Sequence, residues 1–408
     1  MLDINWEDVR DILINCAPYI IFFAVVAVLA VIAAIVIGKK KVSVRKIVRT
    51  QSIVAVILAL MIMVTGICMG PMYNIIALAM GNGTLSNETV SATEENCKNI
   101  AGEGTVLLKN ESSLLPLANG SNLNVFGWAS TNPCYGGTGS GAISDSYEKV
   151  SLLEGLTNAG FNLNTELTDF YTAYRPDHPE ISPFLQDWTL PEPPASTYPD
   201  ALLDNAKSFS DTALIVISRT GAEAADLLPD MTLLESIWAG SSVRANDFHD
   251  NTDAYEEFPE GTHFLQLSQS EKDMVKLVCD NFSKVIVVYN GSNAFELGFV
   301  NEYPSIKGAL WCAGPGQNGF NALGEILNGV INPSGRTTDT FVTSLKNAPY
   351  INNIGKFTYT NMEEFSGDMR GDKTLPTFVN YVEGIYMGYR FYETAAAEGF
   401  LNYDEAVV

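Results

Sequence analysis

The segment SRTGAEAADLLPDM (218–231) sets one carboxylate, Glu223, among small residues directly after the apolar run TALIVI (212–217). An apolar run of that length reads as a buried strand, so Glu223 falls in the loop that leaves it. A carboxyl there can serve as a general acid and base, passing a proton to and from a reacting oxygen. It can equally be an ordinary loop charge, and these residues leave both readings open.

A second stretch with chemical potential is CYGGTGSGAIS (134–144), which follows the short strand NLNVFG (122–127). Its glycines let a backbone approach a ligand closely, and Thr138 and Ser140 carry free hydroxyls. No Gly-Lys-Ser/Thr closes the loop, and it lacks the spacing of a dinucleotide fingerprint, so a nucleotide is not indicated. A sugar fits such a loop, and so does plain packing on a sheet. His178, His249 and His263 are scattered, and Cys97, Cys134, Cys279 and Cys312 show no CxxC spacing. Neither a metal centre nor any cofactor is implied. The four cysteines fit one or two disulfides, or four small buried residues.

The elements that must carry these loops alternate. Helix is expected over 92–108, 147–159 and 318–327. Strands are expected at 122–127, 213–217, 284–289 and 306–312. The stretch SQSEKDMVKLVCDNF opens at Ser268 with Glu271 three residues on, a capping box ahead of an amphipathic helix. Continuous apolar strands between amphipathic helices predict an α/β fold, a mostly parallel sheet covered on both faces, with ligands beyond the strand C-termini. A proline-rich excursion spans 176–199.

The front of the chain differs. Ala17–Ile37 has no charged residue, and a second apolar run extends over 52–72. About 20 helical residues cross a bilayer core. The leader MLDINWEDVRD is acidic, unlike the basic start of a cleaved signal. Between the runs lies GKKKVSVRKIVRT, with six basic residues and no acid. Short basic loops stay in the cytoplasm. The expected organisation is an exterior N-terminus (1–16), a two-helix transmembrane hairpin (17–80) with a cytoplasmic loop at 38–51, a juncture (81–91) and an exterior domain (92–408). That makes a multi-pass cell-membrane protein with its main domain extracellular. Residues beyond 80 hold 17 basic and 43 acidic residues, a net of −26. Such a surface repels nucleic acid.

Six segments then share one resemblance. EGTVLLKNESSLLPL (103–117), GGTGSG (136–141), SRTGAEAAD (218–226), VVYNGSNAFEL (287–297), GQNGFNALGEILNGVINPSGR (316–336) and YVEGIYMGYRFYET (381–394) resemble, in order, segments of glycoside hydrolase family 3. The resemblance covers about 92–408 and implies an (α/β)6 sandwich domain. In that family the sandwich stands beside an (α/β)8 barrel, which supplies the nucleophilic aspartate. The sandwich supplies the acid/base glutamate from a loop written S-R-x-x-G-E-G-x-D, a role that falls on Glu223. Substrate contacts fall on Ser140 of the glycine loop and, with it, Thr138, Arg219 and Asp226. Ala222 and Ala224 replace glycines of the family pattern, and Leu227 stands where an arginine is common.

The resemblance therefore implies the sandwich half of a membrane-anchored, exo-acting β-glycosidase of the β-glucosidase kind. Its partners would be a β-glucoside or oligosaccharide, the membrane, and a barrel domain in cis or in trans. Permuted order is expected, sandwich first and barrel later, so this chain without the barrel would be inactive. The other expectation is a non-catalytic surface domain that binds glycans or protein.

Overall fold

A computed structural model describes residues 6–80, 85–137, 141, 143, 147–174, 185–221, 228–234, 245–353, 357–365, 367–369, 372–374 and 376–408. The chain divides into two compact units, which separate in the main at Ser86 and Asn87.

The first unit is helical. α1 (Trp6–Val36) meets α2 (Val42–Met69) through a 3-10 turn at Ile37–Lys39, and α3 (Tyr73–Met80) follows. Leu13–Lys39 and Val42–Met69 are each long and apolar enough to cross a membrane. α1 takes in most of the stretch expected as a separate N-terminal segment. Pro18 lies inside it without ending it.

The second unit carries a six-stranded sheet in the order β1-β8-β7-β5-β2-β3. Its strands are β1 (Val106–Asn110), β2 (Asn122–Phe126), β3 (Asn162–Leu163), β5 (Thr212–Arg219), β7 (Lys284–Gly291) and β8 (Ile306–Trp311). All neighbours are parallel except β1, which runs antiparallel to β8. A separate parallel pair joins β4 (Leu185–Asp187) to β6 (Ala245–Asp247). Every residue of β5 is buried, as is all of β7 after Lys284. These strands lack polar alternation because helices cover both faces of the sheet.

The helices of this unit are α4 (Asn87–Gly104), α5 (Leu152–Asn158), α6 (Thr165–Tyr174), α7 (Asp200–Phe209), α8 (Gln269–Asn281), α9 (Phe299–Glu302), α10 (Phe320–Leu327), α11 (Tyr389–Ala397) and α12 (Tyr403–Ala406). The capping box at Ser268 is present, with Ser268 Oγ accepting from Glu271 N and Glu271 Oε2 accepting from Ser268 N. Two helix expectations need correction. α4 ends at Gly104, and Val106–Leu108 belongs to β1, where it pairs with β8. The helix expected from 147 begins at Leu152, because Ser151 and Glu154 form a second capping box there. One core fills the space around the sheet. A smaller cluster of Val342, Leu345, Ala348, Tyr392 and Ala406 lies under α11 and α12.

Candidate functional site

β2 and β5 are neighbours and parallel, with Phe126 opposite Ile215, so the loops that follow them leave the sheet at one edge. β2 ends at Gly127, whose φ of +97° lies in the region that favours glycine. A Cβ there would run into the Val216 carbonyl of β5. The chain then makes a 3-10 turn, Trp128–Ser130, and continues into Asn132–Gly137.

A cleft of ≈ 210 Å³ opens at this edge. Its walls include Trp128, Cys134–Gly137, Lys149, Asp187, Ser218 and Thr220. It therefore lies beyond the C-terminal ends of parallel strands, where α/β sheets place their ligands. The lining mixes an indole, a phenol, an ammonium, a carboxylate and hydroxyls. Tyr135 forms part of it, with the Lys149 ammonium 5.3 Å from its ring centroid.

The loop Cys134–Gly137 is fixed at its base. Gly316 N donates to Tyr135 O at 2.7 Å. Gly314 passes so close that a Cβ on it would lie 2.8 Å from Gly136 Cα. Burial pushes the Cys134 thiol up to about 11, and its Sγ donates to Gly136 O at 3.0 Å. It is a packed thiol, not a nucleophile. All six cysteines are free.

The sequence-expected site residues divide sharply. Thr138, Ser140, Glu223 and Asp226 lie outside the described residues. Arg219 is 1% exposed. Its Nη1 and Nη2 donate to Glu271 Oε1 and Oε2 at 2.8 and 2.6 Å. Nε donates to Phe264 O, Nη2 also reaches Gln266 O, and Nη1 reaches Ser218 O. Phe264 and Phe295 lie 5.2 and 5.0 Å from its guanidinium carbon. The five N–H groups of Arg219 are thus all engaged, and it anchors the end of β5 to the start of α8. Glu271 serves both this pair and the capping box.

Sequence reasoning missed a second buried carboxyl. Glu192, from the proline-rich excursion, is fully buried. Its Oε2 accepts from Trp128 N at 2.8 Å and its Oε1 from Tyr198 OH at 2.7 Å. Tyr171 OH lies 3.5 Å from Oε1 and 2.5 Å from Tyr198 OH. Burial raises the Glu192 carboxyl to about 8, against its hydrogen bonds from Trp128 and Tyr198. Burial and the nearby Glu192 likewise raise Tyr171 and Tyr198 well above the phenol range. The signal available in the sequence was an acid inside TLPEPP, a context too apolar for a surface charge.

Among the described residues no group of three or more His, Cys, Asp or Glu could hold a metal ion. His263 is engaged, with Nδ1 accepting from Leu265 N and Nε2 facing Glu296 Oε1 at 3.1 Å.

Comparison with known proteins gives a consistent answer. Residues 105–389 match the profile described as "Glycosyl hydrolase family 3 C-terminal domain". Beta-glucosidase A of Butyrivibrio fibrisolvens is 30% identical over 326 residues, which cover 78% of this chain and 35% of that protein. A beta-glucosidase of Ruminococcus albus is 27% identical over 308 residues, covering 74% of this chain and 27% of that protein. Beta-glucosidase 3B of Thermotoga neapolitana, solved in complex with glucose, is similar in structure with a TM-score of 0.54 and 26% identity. The match covers 75% of this chain and 37% of that one. The chain spans about a third of the length of these relatives.

Proposed function

The chain belongs to the glycosyl hydrolase family 3 C-terminal domain family, and on that premise we propose that it is the acid/base half of a membrane-anchored β-glycosidase acting on β-glucosides. The observation that carries this reading is the pairing of β2 with β5. It puts the ends of these two strands side by side, and Trp128 and Cys134–Gly137 after β2 line one cleft with Ser218 and Thr220 at the end of β5. Glu223 protonates the leaving glycosidic oxygen and then takes a proton from the attacking water. Thr138, Ser140 and Asp226 contact the sugar. The nucleophilic aspartate comes from a barrel domain, in cis or in trans. Cleavage proceeds with retention, for which the two carboxyl groups stand about 5–5.5 Å apart. The two N-terminal helices span the membrane, with the basic stretch 38–51 in the cytoplasm, where it forms the start of α2 from Val42 on and not a loop throughout, and the sandwich domain outside.

The test is hydrolysis of aryl β-glucosides by the barrel-containing protein, comparing wild type with Glu223→Gln. The expected loss in kcat/KM is about 10²–10⁴-fold for poor leaving groups, which need protonation, and small for dinitrophenyl glucoside, which does not. An equal effect on both substrates removes Glu223 from the acid role. The alanines at 222 and 224 favour a second reading, a non-catalytic glycan-binding domain. Saccharide binding with no turnover in the barrel-containing protein supports that reading instead.

A further inference from the structure

We propose that Asn290 is a positioning residue that fixes the Cys134–Gly137 wall of the cleft against the ends of β5 and β8. Asn290 is fully buried near the C-terminal end of β7. Its Oδ1 accepts from Cys134 N at 2.6 Å, and its Nδ2 donates to Cys134 O at 3.0 Å. One side chain thus grips both backbone groups of a single loop residue, as a neighbouring strand would. The second Nδ2 hydrogen goes to Cys312 O at 3.1 Å, just past β8. Ser218 Oγ, at the end of β5, donates to Asn290 O at 2.8 Å and lies 3.4 Å from Oδ1. The amide therefore joins three strand ends and the loop, with every donor and its acceptor in use.

Among the described residues, the only other backbone tie of Cys134–Gly137 to the body of the domain is the bond from Gly316 N to Tyr135 O. Truncating Asn290 leaves Cys134 N–H and C=O without partners in a buried place, and the loop must move to find water. Neither Asp nor Gln is a neutral exchange. An ionised Asp would set negative charge against two carbonyl oxygens, and Gln adds a methylene at a site with no room.

The inference rests on the proposed sugar site only for its consequence for binding, so the experiment reads both separately. Hydrogen exchange is measured on the full chain in detergent for wild type, Asn290→Ala, Asn290→Asp and Val288→Ala. Val288 is a buried residue of the same strand with no hydrogen-bonding side chain, so its truncation weakens β7 and removes no hydrogen bond from the loop. Asn290→Ala is expected to speed exchange at Cys134 and Gly316 by roughly 10–100-fold, the worth of one or two net hydrogen bonds, with no matching change in α8. Asn290→Asp is expected to regain protection as pH falls, once exchange is corrected for its intrinsic rate, because the protonated acid recovers one donor. Uniform loosening in Asn290→Ala, or loop loosening of the same size in Val288→Ala, overturns the proposal. Glucose titration of the same proteins is the second readout. Weakened binding in Asn290→Ala but not Val288→Ala extends the positioning role to the ligand. Absence of glucose binding by wild type even with the barrel domain present counts against the glycosidase reading and leaves the exchange result standing.

Discussion

Replacing Glu192 by Gln should make this protein more stable in mild alkali and leave it unchanged in mild acid. The carboxyl has an ordinary value of 4.5 and is raised to about 8 by burial in the folded chain. The folded state therefore binds the proton more tightly than the unfolded one. Below about 4.5 both states are protonated and the group has no effect on pH dependence. Between 4.5 and about 8 the unfolded state ionises first, and stability falls by about 1.4 kcal/mol for each pH unit. Above about 8 both are ionised and the loss stays constant, at roughly 5 kcal/mol if the whole interval is realised. Gln is the shape of the protonated acid. Its amide oxygen can accept from Trp128 N, and its NH₂ can donate to Tyr198 OH, which turns its own hydrogen to Tyr171. Urea unfolding of both proteins at pH 4.5 and pH 9 measures the effect. Subtracting wild type from variant at each pH cancels titrating groups remote from Glu192, and the buried phenols of Tyr171 and Tyr198, raised well above their ordinary range, stay protonated at both pH values. The expected gain is within about 1 kcal/mol of zero at the lower pH and about 2–5 kcal/mol at the higher. If Gln costs several kcal/mol at both, the three surrounding donors hold an ionised carboxylate, and the argument from burial is wrong.

Two further outcomes test the scaffold. Arg219→Met leaves Glu271 buried without its bidentate partner and should cost about 3–5 kcal/mol, read as a lowered urea midpoint. The double variant with Glu271→Leu should recover much of that loss. Gly127→Ala combines a positive φ with a collision against the Val216 carbonyl. It should destabilise by about 2–5 kcal/mol in the same assay, and wild-type stability would show that β2 leaves the sheet by another path.

Strands β5 and β7 were legible because a buried parallel strand is an unbroken apolar run, and TALIVI and KVIVVY are such runs. The capping box at Ser268 was legible for the same reason, since its pattern is local. β1 was not. Val106–Leu108 continues the pattern of a preceding helix, and only its antiparallel partner in β8 makes it a strand. The start of α5 was written in the Ser151–Glu154 spacing and overridden by apolar residues upstream. Arg219 carried a functional expectation from its place beside Glu223. The same neighbourhood gives it a partner, Glu271, 52 positions away, which no local pattern announces. Glu192 showed only as an acid in an apolar setting, and Asn290 not at all, for that reason too. Each is defined by the backbone groups it holds, and those come from segments far along the chain.

The antiparallel edge of the sheet sets a schedule for folding. Val106 pairs with Trp311, so β1 leaves the ribosome about 200 residues before its only sheet partner. At about 5–20 residues per second, that interval is roughly 10–40 s. β5 is no lasting substitute, because its two sides are taken by β2 and, once it is made, by β7. Throughout this interval β1 exposes Val106 and unpaired backbone groups, the features that recruit stray strands. The edge strand nearest the front of the domain thus waits longest for its partner, and in the nascent chain it stays open to stray pairing until β8 arrives.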